Sequence, residues 1–145
     1  MSSSSTRKDA YVTDKDTAII MHHLLYHQPF EKATFSSLPS QYRSAIANNK
    51  LGIVKGRLVF YETVLTTVKQ ICRIVVPVSL RRILFYRLHT SPAGGHMGKY
   101  KTLYRIKLQF FWTKLRSDIY RWIKECPHCQ LTFRWRRRGQ ELMFS

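Results

Sequence analysis

The sequence predicts an α+β fold that is mainly α-helical, with a small antiparallel β-sheet between two helical parts. Apolar residues recur at three- and four-residue intervals over most of the chain, as they do on helices with one buried face. In residues 51–76 the pattern changes to β-branched runs around a Lys55-Gly56 turn, which is typical of a β-hairpin. A sheet of two or three strands is too small to be stable alone, so we expect it to pack against the flanking helices.

The N-terminal residues predict a tail and then a helix. Residues 1–13 are polar and without periodicity, and we expect a flexible tail there. From 14 to 28 the pattern is helical, because Thr13 or Asp14 can cap a helix that ends before Pro29. The predicted apolar face contains Ile19, Ile20, Leu24 and Leu25.

A second helix and three strands are predicted next. A connection at 35–39 leads to a short helix over 40–48. Residues 51–54 and 57–61 form the arms of the hairpin, since two residues of turn type separate them. Residues 70–76 are rich in β-branched side chains and predict a third strand.

Three amphipathic helices are predicted after Pro77, over 78–88, 99–109 and 114–125. Their apolar faces contain, in order, Leu80, Ile83, Leu84 and Leu88; Leu103, Ile106 and Phe110; and Leu115, Ile119, Trp122 and Ile123. Trp112-Thr113 interrupts the pattern between the last two helices, and the threonine can cap the third.

Four residues with the chemistry of metal ligands flank the last two helices: His89, His96, Cys126 and Cys129. They read H-x6-H, then 29 intervening residues, then C-x2-C. Two imidazoles and two thiolates complete a tetrahedral shell around Zn²⁺ with no open position, which is the arrangement of a structural site. The alternative is that these are ordinary loop histidines and two incidental cysteines.

The segment from His89 to Gln130, 42 residues long, resembles the HHCC zinc-binding domain on the N-terminal side of integrases, most closely that of gypsy/Ty3-like LTR retrotransposons. The residues that carry the resemblance are His89, Ser91-Pro92, Gly95-His96-x-Gly98, Lys101-Thr102, Phe111-Trp112 and Cys126-x2-Cys129-Gln130. A looser likeness extends upstream through 51–61 and 74–77. Thr113 departs from the family, which usually has proline after the tryptophan; proline there would begin a helix at its first turn.

The resemblance implies a zinc-stapled three-helix bundle over 77–132, in which the last two helices form a helix-turn-helix. We therefore expect a disordered tail at 1–13, an accessory region of helices and a small β-sheet at 14–76, the zinc domain, and a basic tail at 133–145.

Catalysis is not expected of this chain. An integrase needs a following core domain of the ribonuclease-H type, whose carboxylates hold two metal ions. Sixteen residues follow Cys129, and Glu141 is the single acid among them. The chain has eight acids, and none of them forms a set spaced like a carboxylate triad. We expect a recognition module that is not an enzyme and has no small-molecule substrate.

The net charge of +17 indicates a polyanionic partner, for which DNA is the prediction. Residues 81–138 hold fifteen Lys and Arg against Asp118 and Glu125, with aromatic residues interleaved. Stacking on bases and packing in the core are both open for those aromatics. Phosphate contacts would position the chain without specifying sequence. The predicted contacts are Arg105, Lys107, Lys114, Arg116, Arg121, Arg134, Arg136, Arg137 and Arg138.

Other interpretations stay open, namely a self-association module and a fragment of a longer polyprotein integrase. The four arginines of 134–138 also suit a nuclear-targeting patch or a solvated terminus. The few cysteines favour a reducing, intracellular compartment, and DNA binding favours the nucleus. No run of about 18 apolar residues predicts a membrane span. We expect Cys72 to be a buried, inert thiol, and His22, His23 and His27 to be exposed helical histidines.

Overall fold

The computed structural model describes residues 9–64, 69–90 and 98–130. Its helices and strands confirm a mixed α+β class, mostly helical with a small sheet. In chain order they are α1 (Lys15–Tyr26), α2 (Lys32–Ser37), α3 (Ser40–Ala47), β1 (Leu51–Val54), β2 (Arg57–Val64), β3 (Lys69–Val75), α4 (Val78–Thr90), α5 (Lys99–Gln109), β4 (Phe110–Phe111) and α6 (Leu115–Glu125). Residues 9–13 and 127–130 add two short helical turns.

The sheet has four strands in the order β1-β2-β3-β4. The first three pair antiparallel, and β4 pairs parallel with β3 through Ile74–Phe110 and Val75–Phe111. The β1–β2 turn has positive φ at both central residues, 52° at Lys55 and 75° at Gly56. This geometry suits the right-handed twist of a two-residue hairpin. The predicted hairpin and third strand are confirmed, whereas β4 was not predicted because two residues show no periodicity.

The N-terminal elements differ from the prediction in three places. Residues 9–13 are helical and Tyr11 is buried, so the expected flexible tail is wrong for them; residues 1–8 lie outside the described part. Asp14 caps α1, since its Oδ1 accepts the Asp16 N–H at 3.1 Å. Ile20 is fully buried, but Leu25 is 57% exposed and does not belong to the apolar face. The α2 helix occupies part of the stretch where a connection was expected.

Two apolar clusters lie in the core. The first joins the N-terminal helices to the sheet, and the second joins α4, α5 and α6. Buried residues of the first are Tyr11, Ile20, Leu38, Tyr42, Ala45, Leu51, Leu58, Phe60, Val75 and Phe111. Those of the second are Val76, Phe85, Leu103, Ile106, Trp112, Leu115, Ile119, Trp122, Ile123 and Cys129.

Each cluster takes one residue from the other side of the predicted boundary at 76/77. Phe111 follows α5 yet packs in the first cluster, stacked on Phe60 with the ring centroids 4.4 Å apart. Val76 packs in the second cluster, and its N–H donates to the Phe111 carbonyl at 3.0 Å. Because successive residues of an extended chain point to opposite faces, the short β3–β4 pairing supplies side chains to both clusters.

Arg73 and Asp14 each make hydrogen bonds across the same junction between the sheet region and the elements that follow it. The buried Arg73 guanidinium donates to the Phe110 carbonyl from Nε and Nη2, at 3.1 and 3.0 Å, and to Glu62 Oε2 at 2.8 Å. The Asp14 carboxylate also serves α4, because its Oδ2 accepts the Val78 N–H at 2.9 Å and lies 3.7 Å from Arg81 Nη2. A single buried carboxylate therefore caps the first turns of both α1 and α4.

Candidate metal centre and basic cleft

The α4 helix carries His89 into the second cluster. The side chain is 2% exposed, and its ring stacks on Phe85, one turn earlier, with centroids 5.0 Å apart. Phe85 and His89 are the buried residues of this helix. Ile83, predicted on the apolar face, is 51% exposed, so that position was wrong. The i−4 spacing to His89 is the sequence signal that would have identified Phe85.

Cys126 and Cys129 lie just after α6, which packs through Leu115, Ile119, Trp122 and Ile123 as predicted. Cys126 ends the helix, and its N–H donates to the Ile123 carbonyl at 3.1 Å. The turn at 127–130 then brings Cys129 back towards the bundle. Thr113 was wrongly predicted to cap α6, because Lys114 occupies that position with φ 62° and no side-chain cap.

Three of the four predicted ligands come together. Donor atoms of His89, Cys126 and Cys129 all lie within 4.8 Å of one another. The shortest approach is 3.1 Å, between His89 Nε2 and Cys129 Sγ. His96 lies outside the described residues. Within the described ranges, His22, His23 and His27 are not part of any such group.

The donor set suits a soft or borderline metal ion, since thiolates and imidazole are its ligands. Burial first, and then Cys126, raise the pKa of the Cys129 thiol from 9.0 to about 11. An incoming cation must therefore displace a proton from this sulfur. Because His89 and Cys129 are also buried in an apolar cluster, the group is placed to hold an ion within the fold. Metal binding is the chemistry that this arrangement supports.

A cleft of about 1090 Å³ lies between the sheet region and the helices that follow it. The predicted contacts Lys107, Lys114, Arg116 and Arg121 line it together with Arg73 and Arg81. Neither Arg73, in β3, nor Arg81, in α4, was singled out from the sequence, because both reach the cleft only through the junction between the sheet and the later helices. Asp16, Glu62 and Asp118 also line the cleft.

The lining cations differ in how they are paired. Lys107, Lys114 and Arg116 are exposed. Arg121 Nη2 lies 3.1 Å from Asp118 Oδ1, and the second oxygen of that carboxylate accepts the Trp112 Nε1–H at 3.0 Å. The charge of Arg121 is thus partly balanced by its neighbour. Arg105 is half-buried on α5, and Arg134, Arg136, Arg137 and Arg138 lie outside the described residues.

The structure also bears on the predictions for Cys72 and for membrane-spanning helices. Cys72 is exposed, so the prediction of a buried thiol was wrong. Among the described helices, none combines the length and the apolar character that crossing a membrane requires.

Residues 76–133 match the family model of the integrase zinc binding domain. The match contains all four predicted ligands and begins at the junction between the sheet and α4. It confirms the likeness to integrase HHCC domains that the sequence motif predicted.

The curated relatives that the chain matches are named as integrase-like proteins. The chain is 23% identical over 117 residues to the human Gypsy retrotransposon integrase-like protein 1, covering 81% of this chain and 22% of that protein. It is 27% identical over 96 residues to the protein of that name from Pongo abelii, covering 66% of this chain and 18% of the relative. The bovine protein is 33% identical over 43 residues. The human match is longer than residues 76–133, so the likeness extends beyond the zinc-binding match. The chain spans about a fifth of the length of the human and Pongo abelii proteins.

Proposed function

Since residues 76–133 match the integrase zinc binding domain, we propose that this chain is a zinc-dependent nucleic-acid-binding module. It would grip DNA phosphates in the context of retrotransposon DNA integration. The observation that carries the proposal is the joint presence of a His/Cys group at one end of the helical cluster and a cation-lined cleft between that cluster and the sheet.

Zinc is the ion that we assign to the group. In a tetrahedral zinc site, bonds of about 2.0–2.3 Å place neighbouring donors roughly 3–4 Å apart, a scale close to that of the three donors here. We assign the fourth ligand to His96. Four protein ligands leave no position for a substrate, so the ion would stabilise the fold by closing α4, α5 and α6 into a bundle, with α5 and α6 as a helix-turn-helix.

Lys107, Lys114 and Arg116 are the residues that we assign to phosphate binding, because they are exposed and line one cleft. Arg121, Arg105 and the arginines of 134–138 are further candidates. Contacts to phosphate release condensed counterions and do not read bases, so binding should depend steeply on salt and weakly on sequence.

The test is a fluorescence-anisotropy titration of the zinc-loaded chain on duplex DNA at about 50 to 200 mM salt. We compare the wild type with the triple variant Lys107→Gln/Lys114→Gln/Arg116→Gln. The matched control is Lys15→Gln/Lys32→Gln/Arg43→Gln, which removes the same charge from exposed positions on α1, α2 and α3. The cleft variant should lower the slope of log affinity against log salt by about one for each cation removed, and the control should change it little.

Equal losses in both triple variants would mean that net charge, and not the cleft, attracts DNA. No binding by the wild type at low salt would exclude the proposal. Zinc content and circular dichroism are measured on each variant, so that a folding defect is not mistaken for lost binding.

Self-association is a second candidate. Ile83 and Tyr86 on α4 are 51% and 65% exposed, one turn apart, and large exposed apolar side chains are common at protein interfaces. Light scattering of the zinc-loaded chain over a range of concentrations tests it. A mass that stays monomeric would exclude this candidate and leave the nucleic-acid proposal intact.

A further inference from the structure

The aromatic residues of the basic segment divide into two groups by exposure. Trp112 and Trp122 are buried in the second cluster, so they are core residues. Tyr100 and Tyr104 are 68% and 67% exposed. Phe133 and Trp135 lie outside the described residues. Packing in the core accounts for the presence of the two tryptophans, but it does not account for the exposed Tyr100 and Tyr104.

Tyr100 and Tyr104 lie on one face of α5, because residues four apart in a helix are neighbours on its surface. Their separation along the axis is about one turn, roughly 5–6 Å. Leu108 continues the same line and is 45% exposed. The other face of α5 packs in the core through Leu103 and Ile106. The stripe is therefore a surface feature of a helix that is already anchored.

Cations surround this stripe. The α5 sequence contains Lys99, Lys101, Arg105 and Lys107 and no acid. Lys99 Nζ lies 5.1 Å from the Tyr100 ring centroid and 5.2 Å from that of Tyr120, and those two rings meet edge to face at 6.1 Å. Lys99 thus places a positive charge about 5 Å from two aromatic rings, so one strand could meet a cation and a ring together.

We infer that the Tyr100–Tyr104 stripe of α5 stacks unpaired bases, so that the module also binds a single-stranded nucleic-acid segment. Bases of a paired duplex present only their edges in the grooves, whereas unpaired bases expose the faces that tyrosine rings can cover. Lys99 and Lys101 then meet the phosphates on either side. This inference rests on the proposed function, because the same basic field attracts both forms of nucleic acid.

Two other occupants fit the stripe less well. A second copy of the chain would bring a second net charge of +17 against a face without acids on its own helix. A membrane surface requires a broad apolar face that can enter the headgroup region, and the main apolar face of α5 is already buried in the protein core. Single-stranded nucleic acid uses both the charge and the rings.

The experiment compares a fluorescent oligothymidylate with a duplex of the same length, each titrated with the zinc-loaded chain. The Tyr100→Leu/Tyr104→Leu variant removes the rings and keeps helix-forming side chains. The Tyr100→Phe/Tyr104→Phe variant keeps the rings. Tyr26→Leu is the matched control, since Tyr26 is 63% exposed at the end of α1. A strand carrying 5-iodouracil gives a second readout, because photocrosslinking requires a base in contact with the ring.

The leucine variant should bind the single strand about tenfold more weakly for each stacking tyrosine removed, and the duplex within twofold of the wild type. The phenylalanine variant and Tyr26→Leu should bind like the wild type, and crosslinks should map to Tyr100 or Tyr104. Equal loss on both ligands, or no loss on the single strand, overturns the inference. Duplex binding without single-strand binding overturns the inference alone, and binding of neither overturns the proposed function as well.

A dimer in light scattering that the leucine variant abolishes would assign the stripe to a second copy and would also overturn the inference.

Discussion

The region before Val76 and the helices after it reach stability by different means. The first packs ten buried apolar residues, Phe111 of the later region among them, between helices and a sheet whose strands β1, β2 and β3 pair with one another. The second packs three helices of 13, 11 and 11 residues, and its far end is the His/Cys group. Under the proposed function, a small helical cluster of this kind would be marginal without its metal. Packing between helices and a sheet accounts for the first region, whereas the second is proposed to depend on ligand chemistry as well.

Removal of the metal should have the largest effect. Structural zinc contributes about 10–16 kcal/mol of apparent binding free energy in small domains, more than a bundle of this size can replace. Hydrogen exchange after chelation should show loss of protection in α4, α5 and α6, with β1 and β2 still protected. Cys126→Ser should reproduce the pattern without a chelator. Cys72→Ser is the control, because that thiol is exposed and lies outside the group. A melting curve that neither chelator nor Cys126→Ser alters would refute the structural role of the metal.

Substitution of one buried isoleucine in each cluster compares how strongly the two regions depend on the metal. Ile20 and Ile119 are both fully buried, one in each cluster. Each change to alanine should lower the free energy of unfolding of the zinc-loaded protein by about 2–5 kcal/mol. In the metal-free protein Ile20→Ala should still destabilise the sheet region, but Ile119→Ala should add little because its helices have already lost their packing. Denaturant titration with and without chelator measures this, and equal effects in the metal-free protein would show that the regions unfold together.

Substitution of Asp14 tests how much its contacts to α1 and α4 contribute to stability. Asp14→Ala removes the cap of α1, the acceptor for the Val78 N–H and the partner of Arg81, so we expect a loss of about 2–3 kcal/mol. Asp9→Ala at an exposed position is the control. Thermal melts followed by hydrogen exchange should show the loss on both sides of residue 76. Loss of protection in α1 alone would show that the contact to α4 contributes nothing.

The pH dependence of metal affinity is expected to be the smallest effect. Burial and the neighbouring Cys126 raise the pKa of the Cys129 thiol from 9.0 to about 11, so this thiol is protonated near neutral pH and must release its proton to solvent when it binds the metal. The logarithm of metal affinity should therefore rise by about one unit per pH unit from this sulfur alone between about pH 6 and 8. Competition with a chromophoric chelator measures this slope, and a flat profile would contradict it.

The sequence predicted most of the regular elements because their signals are local. The hairpin followed from Lys55-Gly56 between β-branched runs, and α6 from the spacing of Leu115, Ile119, Trp122 and Ile123. Local patterns could not predict β4, since Phe110 and Phe111 become a strand only by pairing with β3. Tyr11 was assigned to a tail for the same reason, because its hydroxyl donates at 2.7 Å to Val75, 64 residues away.

The candidate site shows the same division. The C-x2-C and histidine spacing predicted the group that gathers His89, Cys126 and Cys129. The cleft was not predicted, because Arg73 and Arg81 enter it only through the junction of two sequence-distant regions. The charge pattern indicated cations, but only the fold distinguishes Arg121, paired with Asp118, from the exposed Lys107, Lys114 and Arg116.

In the proposed site, one zinc ion joins His89, His96, Cys126 and Cys129 into a closed shell. X-ray absorption spectroscopy at the zinc edge of the zinc-loaded chain is the first measurement to make. We expect two sulfur ligands at about 2.3 Å and two nitrogen ligands at about 2.0–2.1 Å, with His96→Ala replacing one imidazole by water, so that the outer-shell scattering of one imidazole ring is lost. A shell of five or six oxygen and nitrogen atoms without sulfur, or a spectrum unchanged in His96→Ala, would contradict the account.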